Sequence, residues 1–255
     1  MKLLGSLTIV GLGITPGQTT IETIGAIKSA RHLVALTDNP ATLAWLETLH
    51  PQMQSLRSFY SRSKPRSKTY EDIVEHFLQM LRQGRRVCFA LYGHPAVFAR
   101  PAHELIRRAR QEGFPARMLP GISAEDCLFA DLNIDPGHGC QSYEATDFLL
   151  RRRPIDPFSA LILWQIAVIG QTYCPGRTKR NNLSILAKTL RDIYPRDHQV
   201  TLYMAAMFPG CPPTCDRVAL YALASAPVHP MSTLFVPALD VPPPDKQMLR
   251  RLGMA

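Results

Sequence analysis

The chain has 255 residues, 46% hydrophobic and 19% charged, a balance that excludes a disordered chain and suits one large or two smaller packed domains. No segment approaches the roughly 20 apolar residues that span a bilayer, and the start carries no signal-peptide cleavage pattern, so a cytoplasmic protein without membrane contact is expected. A formal charge of +9 favours an anionic partner: phosphate, nucleic acid or an acidic peptide.

Leu7–Gly13 reads as a buried strand ending in a glycine turn. A helix is predicted from about Thr19 to Ala30, with Ile21, Ile24, Ala26 and Ile27 on its buried face. His32–Leu36 is a second strand, and Pro40 opens a helix that runs through Leu49. Residues Arg57–Ser67 are polar and irregular, the pattern of a loop. From Lys68 to Leu81, the residues Tyr70, Ile73, Val74, Phe77, Leu78 and Leu81 recur at helical spacing and predict an amphipathic helix. Arg86–Tyr92 is a strand, Pro101–Glu112 a helix and Ala116–Leu119 a short strand. This alternation indicates a parallel α/β sheet with crossover connections, followed by a hinge at Pro120–Gly121.

The second half begins with a helix at Ser123–Leu132, capped by Ser123. Strands at Leu161–Ile169 and Gln199–Ala205 flank a helix at Leu183–Tyr194. Arg217–Leu223 and Met231–Val236 read as strands whose proline-rich flanks suggest hairpin-like antiparallel pairing. Six cysteines are scattered, and the one close pair, Cys211 and Cys215, has no second ligand pair, so thiols in a reducing compartment are expected and no metal site. The basic residues cluster at Arg57, Arg62, Lys64, Arg66 and Lys68; at Arg107, Arg108 and Arg110; at Arg151–Arg153; and at Arg177, Lys179 and Arg180. No aromatic residues interleave them as on an RNA-stacking surface, which speaks against nucleic acid.

Three segments could carry chemistry. Gly11-Leu-Gly13-Ile-Thr-Pro-Gly17 lies between a strand and a helix, where a phosphate-cradling loop belongs, but its GxGxxxG spacing and Pro16 depart from the dinucleotide fingerprint. A plain tight turn explains it equally well. Leu91-Tyr92-Gly93-His94-Pro95-Ala96-Val97-Phe98 follows a strand C-terminus, where ligands of open parallel sheets gather; a packed loop with a satisfied histidine is the alternative. Tyr60, Arg66 and Tyr70 could bind an oxygen that becomes negative, or hold one phenol ionised, if the helix extends back to place Arg66 and Tyr70 on one face. An ordinary charged loop with one core tyrosine has the same spacing.

Leu7–Ala30 resembles the first loop and helix of the tetrapyrrole methylases. From Phe59 to about Gly170 the chain resembles the borosin peptide backbone α-N-methyltransferases of that superfamily. The resemblance rests on Tyr60–Tyr70, LYGHPAVFA at Leu91–Ala99, GISAEDCLFADLNIDPG at Gly121–Gly137, QSYEA at Gln141–Ala145 and LWQIA at Leu163–Ala167. Weaker agreement continues through Tyr194–Val200 and Pro230–Pro237. Tetrapyrrole-modifying members lack the Tyr–Arg–Tyr loop and usually carry an acidic residue where this chain has Gln18.

The resemblance implies an α/β tetrapyrrole-methylase (class III S-adenosylmethionine methyltransferase) fold. Its first domain would cover residues 1–120, with a catalytic loop at 57–70 and a cofactor loop at 91–98; its second would cover 121–240, ahead of a short tail at 241–255. S-adenosylmethionine would lie in the cleft, leaving S-adenosylhomocysteine as product. Tyr60, Arg66, Tyr70 and Tyr92 match the catalytic group. Tyr92, His94, Val97, Ser123, Gln165, Tyr203, Met204, Ser232 and Thr233 match cofactor-contacting positions.

The implied reaction is N-methylation of backbone amides, by a homodimer that becomes a heterotetramer with two precursors. Fungal members carry their substrate as a C-terminal extension, whereas Val241–Ala255 has no run of small and β-branched residues. The expectation is therefore a split bacterial type acting in trans on a separate leader–core precursor peptide. Methylation of a tetrapyrrole or another small molecule by the same fold is the alternative.

Overall fold

A computed structural model describes residues 4–61, 64–171 and 179–254. The chain forms two compact units: Met1–Asn133 with Gln171–Gly176 and Met204–Thr214, and Ile134–Gly170 with Arg177–Tyr203 and Cys215–Ala255. The first break thus follows Asn133, not Pro120–Gly121.

The first unit contains β1 (Ser6–Gly11), α1 (Ile21–Ser29), β2 (His32–Leu36), α2 (Pro40–Leu49), β3 (Gln54–Ser55), α3 (Arg66–Arg82), β4 (Arg86–Leu91), α4 (Arg100–Gln111), β5 (Ala116–Leu119) and α5 (Ala124–Asp131). Its five strands are all parallel in the order β3-β2-β4-β1-β5, with Ile9 beside Phe89 and Met118. Alternate strand residues feed opposite faces. Leu7, Ile9, Val34, Phe89 and Leu91 pack on α3 and α4, while Val10, Leu12, Leu33, Ala35 and Ala90 pack with Ile27 and Leu46 of α1 and α2. Phe77 of α3 lies with its ring 4.4 Å from that of Phe89, both fully buried. Truncating either to alanine costs about 3–5 kcal/mol on the scale of such core changes.

Local chemistry sets the helix starts. Asn39 Oδ1 accepts from the Ala41 and Thr42 amides ahead of Pro40 at the first turn of α2. The α1 face differs from the sequence reading: Thr23 and Ile27 are buried, and Ile21 is 89% exposed. Thr20 caps this helix by accepting from the Thr23 amide, which places Ile21 on the outer side of the first turn. Part of the segment read as a loop is helical, because α3 begins at Arg66 and a single 3-10 turn covers Leu56–Phe59.

The second unit contains β6 (Cys140–Glu144), α6 (Ala145–Arg151), β7 (Ala160–Trp164), α7 (Arg180–Arg191), β8 (Gln199–Met204), β9 (Thr214–Ala219), β10 (Thr233–Val236) and α8 (Lys246–Arg251). The sheet order is β6-β7-β10-β8-β9, with β6 parallel to β7 and β10 antiparallel to both β7 and β8. The two proline-flanked strands are therefore not hairpin partners, since β8 lies between β9 and β10. The long apolar run after Leu161 stops being strand at Trp164; Gln165 turns the chain and Ile166–Val168 forms a 3-10 turn whose Ile166 and Ala167 stay buried. Burial there marks packing, not extension.

Candidate active site

In the first unit, the loops that leave β1, β4 and β5 meet through glycine. A Cβ on Gly121 would lie 2.7 Å from Gly11 Cα and 2.7 Å from Gly93 O, and one on Gly11 would lie 2.6 Å from Gly93 O. Only residues without side chains allow three backbones to approach this closely. Gly13 and Gly93, at φ of 72° and 68°, exchange two hydrogen bonds: Gly93 N donates to Gly13 O (2.9 Å), and Gly13 N to Gly93 O (3.3 Å). The outer side of Gly93 is open, the nearest atoms to an added Cβ being Ile14 Cδ1 at 3.8 Å and Ile122 O at 4.0 Å. Such a surface lies where ligands of open parallel sheets bind.

Tyr92 follows directly from β4. Its hydroxyl donates to Met207 Sδ at 3.6 Å, and burial pushes its phenol well above the ordinary tyrosine value. It is a neutral donor at physiological pH. His94 Nδ1 accepts from the Ala96 amide at 3.0 Å, so the neutral ring carries its proton on Nε2. The same turn is closed by Val97 N donating to His94 O. Ser123 is buried and caps α5: its N–H and its hydroxyl both donate to Asp126 Oδ2, at 2.6 and 2.7 Å, while Oγ accepts from the Glu125 and Asp126 amides. Two residues beyond Gly121, it thereby fixes the start of α5.

The start of α3 places Arg66 and Tyr70 one turn apart on the same side of the helix. Pro65 at the N-cap offers no side-chain cap, so the first-turn amides and the helix dipole add positive character around Arg66. Its neighbours are already committed. Lys64 pairs with Asp72, and Lys68 with Asp72 (3.2 Å) and Glu71 (3.6 Å). The hydrogen bond from Lys64, then that from Lys68, holds the Asp72 carboxyl below its ordinary value. Half-buried Arg66 forms no ion pair among the described residues. Tyr60 is half-buried against the α3 side of the core, after the Leu56–Phe59 turn. Among the other basic clusters, Arg107, Arg108, Arg151 and Arg153 are paired with Glu104, Glu75 and Asp147, and Arg62 and Arg177 lie outside the described residues.

The second unit brings together another group of the predicted residues. Thr233 of β10 stands opposite Tyr203 of β8, and both are buried; Met204, the last residue of β8, belongs to the first unit. Ser232 precedes β10 in a turn whose hydroxyl accepts from His229 N at 2.9 Å. Gln165, at the end of β7, has φ 59° and ψ 32°, a left-handed conformation uncommon for a side chain of this type. Backbone strain of this kind concentrates at ligand sites.

Residues 6–208 match the family described as Tetrapyrrole (Corrin/Porphyrin) Methylases. The chain belongs to that family. Its fold agrees: the uroporphyrin-III-C-methyltransferase from Thermus thermophilus superposes with a TM-score of 0.66 over 91% of each chain at 19% identity. The chain accordingly has the tetrapyrrole-methylase fold. Among relatives by sequence, it is 39% identical over 99% of its length to the methyltransferase/ribosomally synthesized cyclic peptide gymnopeptides precursor of Gymnopus fusipes, of which it spans 62%. It is likewise 39% identical over 98% of its length to a methyltransferase/type III borosin cyclic peptide precursor of Anomoporia bombycina, of which it spans 30%. These relatives overturn the expectation of a bacterial split enzyme, because they are fungal proteins that join methyltransferase and precursor in one chain.

The residues present fit S-adenosylmethionine. The open side of Gly93 allows a ligand to lie against backbone, and the buried phenol of Tyr92 adds a polar contact without charge. Among the described residues, no group of three His, Cys, Asp or Glu could hold a metal ion, and no helix is long and apolar enough to cross a membrane. Sequence reasoning missed Met207 and Cys127, each of which meets the strand-end loops from a distance in the chain, and it named Gly121 and Gln18 without giving them a place in the site. Only Gln18 had a local signal, the Thr15-x-x-Gln18 spacing of a capping box.

Proposed function

We propose that the protein methylates backbone amide nitrogens of a peptide made on the ribosome. The observation that carries this reading is the start of α3, where Arg66, unpaired among the described residues, stands one turn from Tyr70 at an uncapped helix N-terminus. The relatives named as methyltransferase–cyclic peptide precursors support it.

An amide nitrogen is a poor nucleophile because its lone pair is delocalised into the carbonyl. It becomes reactive when its proton leaves and charge moves to the carbonyl oxygen. Arg66, with the positive end of α3 behind it, stabilises that oxygen. Tyr92, kept neutral by burial, donates a hydrogen bond and is not the base. The proton passes to Tyr60 or Tyr70, whichever the Arg66 charge holds as its phenolate, which thereby becomes the neutral phenol. When bound, S-adenosylmethionine would supply the electrophilic methyl group, its S–CH3 bond breaking as the N–CH3 bond forms. Tyr92, His94 and Val97 in the first unit, and Gln165, Tyr203, Met204, Ser232 and Thr233 at their own strand ends, are the proposed donor contacts; Ser123 acts through the cap of α5.

Arg66→Ala and Tyr70→Phe test the assignment. Each is expected to lower turnover at least 100-fold, since one donor to a developing oxyanion is worth about 3 kcal/mol, while S-adenosylhomocysteine affinity stays unchanged. An Arg66→Ala enzyme that turns over normally sinks the mechanism.

A further inference from the structure

The side chain of Gln18 makes three hydrogen bonds and one close packing contact at the first glycine loop, more than its capping box requires. Its Oε1 accepts from Ile14 N at 2.9 Å and from Thr15 N at 3.2 Å. Its stem lies directly on Gly13, where an added Cβ would come within 2.7 Å of Gln18 Cβ. Its Nε2 reaches across to α5 and donates to Cys127 Sγ at 3.4 Å. Gly13 is in turn locked to Gly93 by the two-bond bridge, and Tyr92 precedes Gly93. Cys127 is half-buried and lies within electrostatic reach of the Tyr92 phenol.

We propose that Gln18 is a positioning residue for donor binding, its neutral carboxamide tying the first glycine loop to Cys127 of α5 and so fixing Gly93 and Tyr92. The amide is required for two reasons. A carboxylate could still accept from both loop amides, but it has no N–H for Cys127. It would also place a negative charge beside a thiol and a phenol that are both held protonated by burial. Gln18 does not touch the reacting atoms, so its replacement changes the donor's affinity more than the chemical step.

The inference rests on the donor-binding part of the proposed function and not on the peptide acceptor, so its binding measurement needs no peptide. Calorimetry with S-adenosylhomocysteine on the full-length protein compares Gln18→Glu, Cys127→Ser and Cys127→Ala. Loss of one net hydrogen bond predicts that Gln18→Glu and Cys127→Ala weaken binding about three- to tenfold, while Cys127→Ser, whose hydroxyl still accepts from Nε2, stays within about twofold. In turnover, the donor KM rises for the first two and kcat holds. If Gln18→Glu fails to fold, the serine–alanine contrast at Cys127 still reads the bridge. Wild-type affinity in Gln18→Glu would reduce Gln18 to a loop cap, and wild-type affinity in Cys127→Ala would show the bridge idle; either overturns the proposal. An enzyme that follows this pattern yet methylates no peptide overturns only the proposed function.

Discussion

Gly121→Ala probes the convergence of the three strand-end loops. The new methyl would sit 2.7 Å from Gly11 Cα, 2.7 Å from Gly93 O and 2.9 Å from Gly11 C, and all three atoms are backbone. No side chain can rotate away, so β1 and β4 loops must shift. Overpacking of this kind costs about 1–3 kcal/mol, and here the upper end applies. At roughly 2–4 °C per kcal/mol for a chain of this size, melting should fall by several degrees. Displacing Gly93 should also weaken S-adenosylhomocysteine binding. Gly113→Ala is the control: at φ 82° it has nothing within 4 Å of its Cβ, so it pays only the left-handed penalty of about 1–2 kcal/mol and leaves binding alone. Because Gly11→Ala intrudes into the same gap, the double variant should cost less than the sum of the singles. Scanning calorimetry with and without the ligand reads all of these. A Gly121→Ala protein that melts and binds like wild type would refute the interlock.

Gly25→Ala, on the exposed side of α1 with nothing near its Cβ, should raise stability by about 0.5–1 kcal/mol in thermal melts. Gln165→Gly should relieve left-handed strain, stabilising the ligand-free protein by up to about 1 kcal/mol while weakening donor binding, two effects that melting and calorimetry separate. Burial pushes the Cys88 thiol from 9.0 up to about 12, and the Tyr194 phenol from 10.0 up to about 12. Both pKa values are raised, so their contribution is complete below the unfolded values and is lost as pH rises through the folded ones. Melting temperature should therefore decline between about pH 9 and 12, and Cys88 should resist iodoacetamide in the folded protein at pH 8.

Periodicity made most of the first sheet legible. The 3.6-residue recurrence over Tyr70–Leu81 and the apolar run at His32–Leu36 match α3 and β2, because the first buries one stripe and the second its three central residues. The second half was less readable for the same reason. Ile166 and Ala167 are as buried as strand residues but belong to a turn, and β8 enters between β9 and β10 by a pairing that no local pattern encodes. The glycine loop looked like a poor phosphate fingerprint since Pro16 interrupts it; its glycines instead let backbones from Gly11, Gly93 and Gly121 touch, a contact invisible to spacing. Arg66 and Tyr70 were found through their four-residue separation. Gln18 with Cys127, and Tyr92 with Met207, were not, because each pair is more than a hundred residues apart in sequence.

Tandem mass spectrometry decides whether the methyl group goes to a peptide backbone nitrogen. The full-length protein is expressed intact and supplied with S-adenosylmethionine. Its own peptides are then sequenced beside added peptides rich in small and β-branched residues, with uroporphyrinogen as a competing acceptor. Methyl groups are expected on successive backbone nitrogens and are lost in the Arg66→Ala variant. Methyl groups confined to side chains, or transfer to uroporphyrinogen alone, would contradict it.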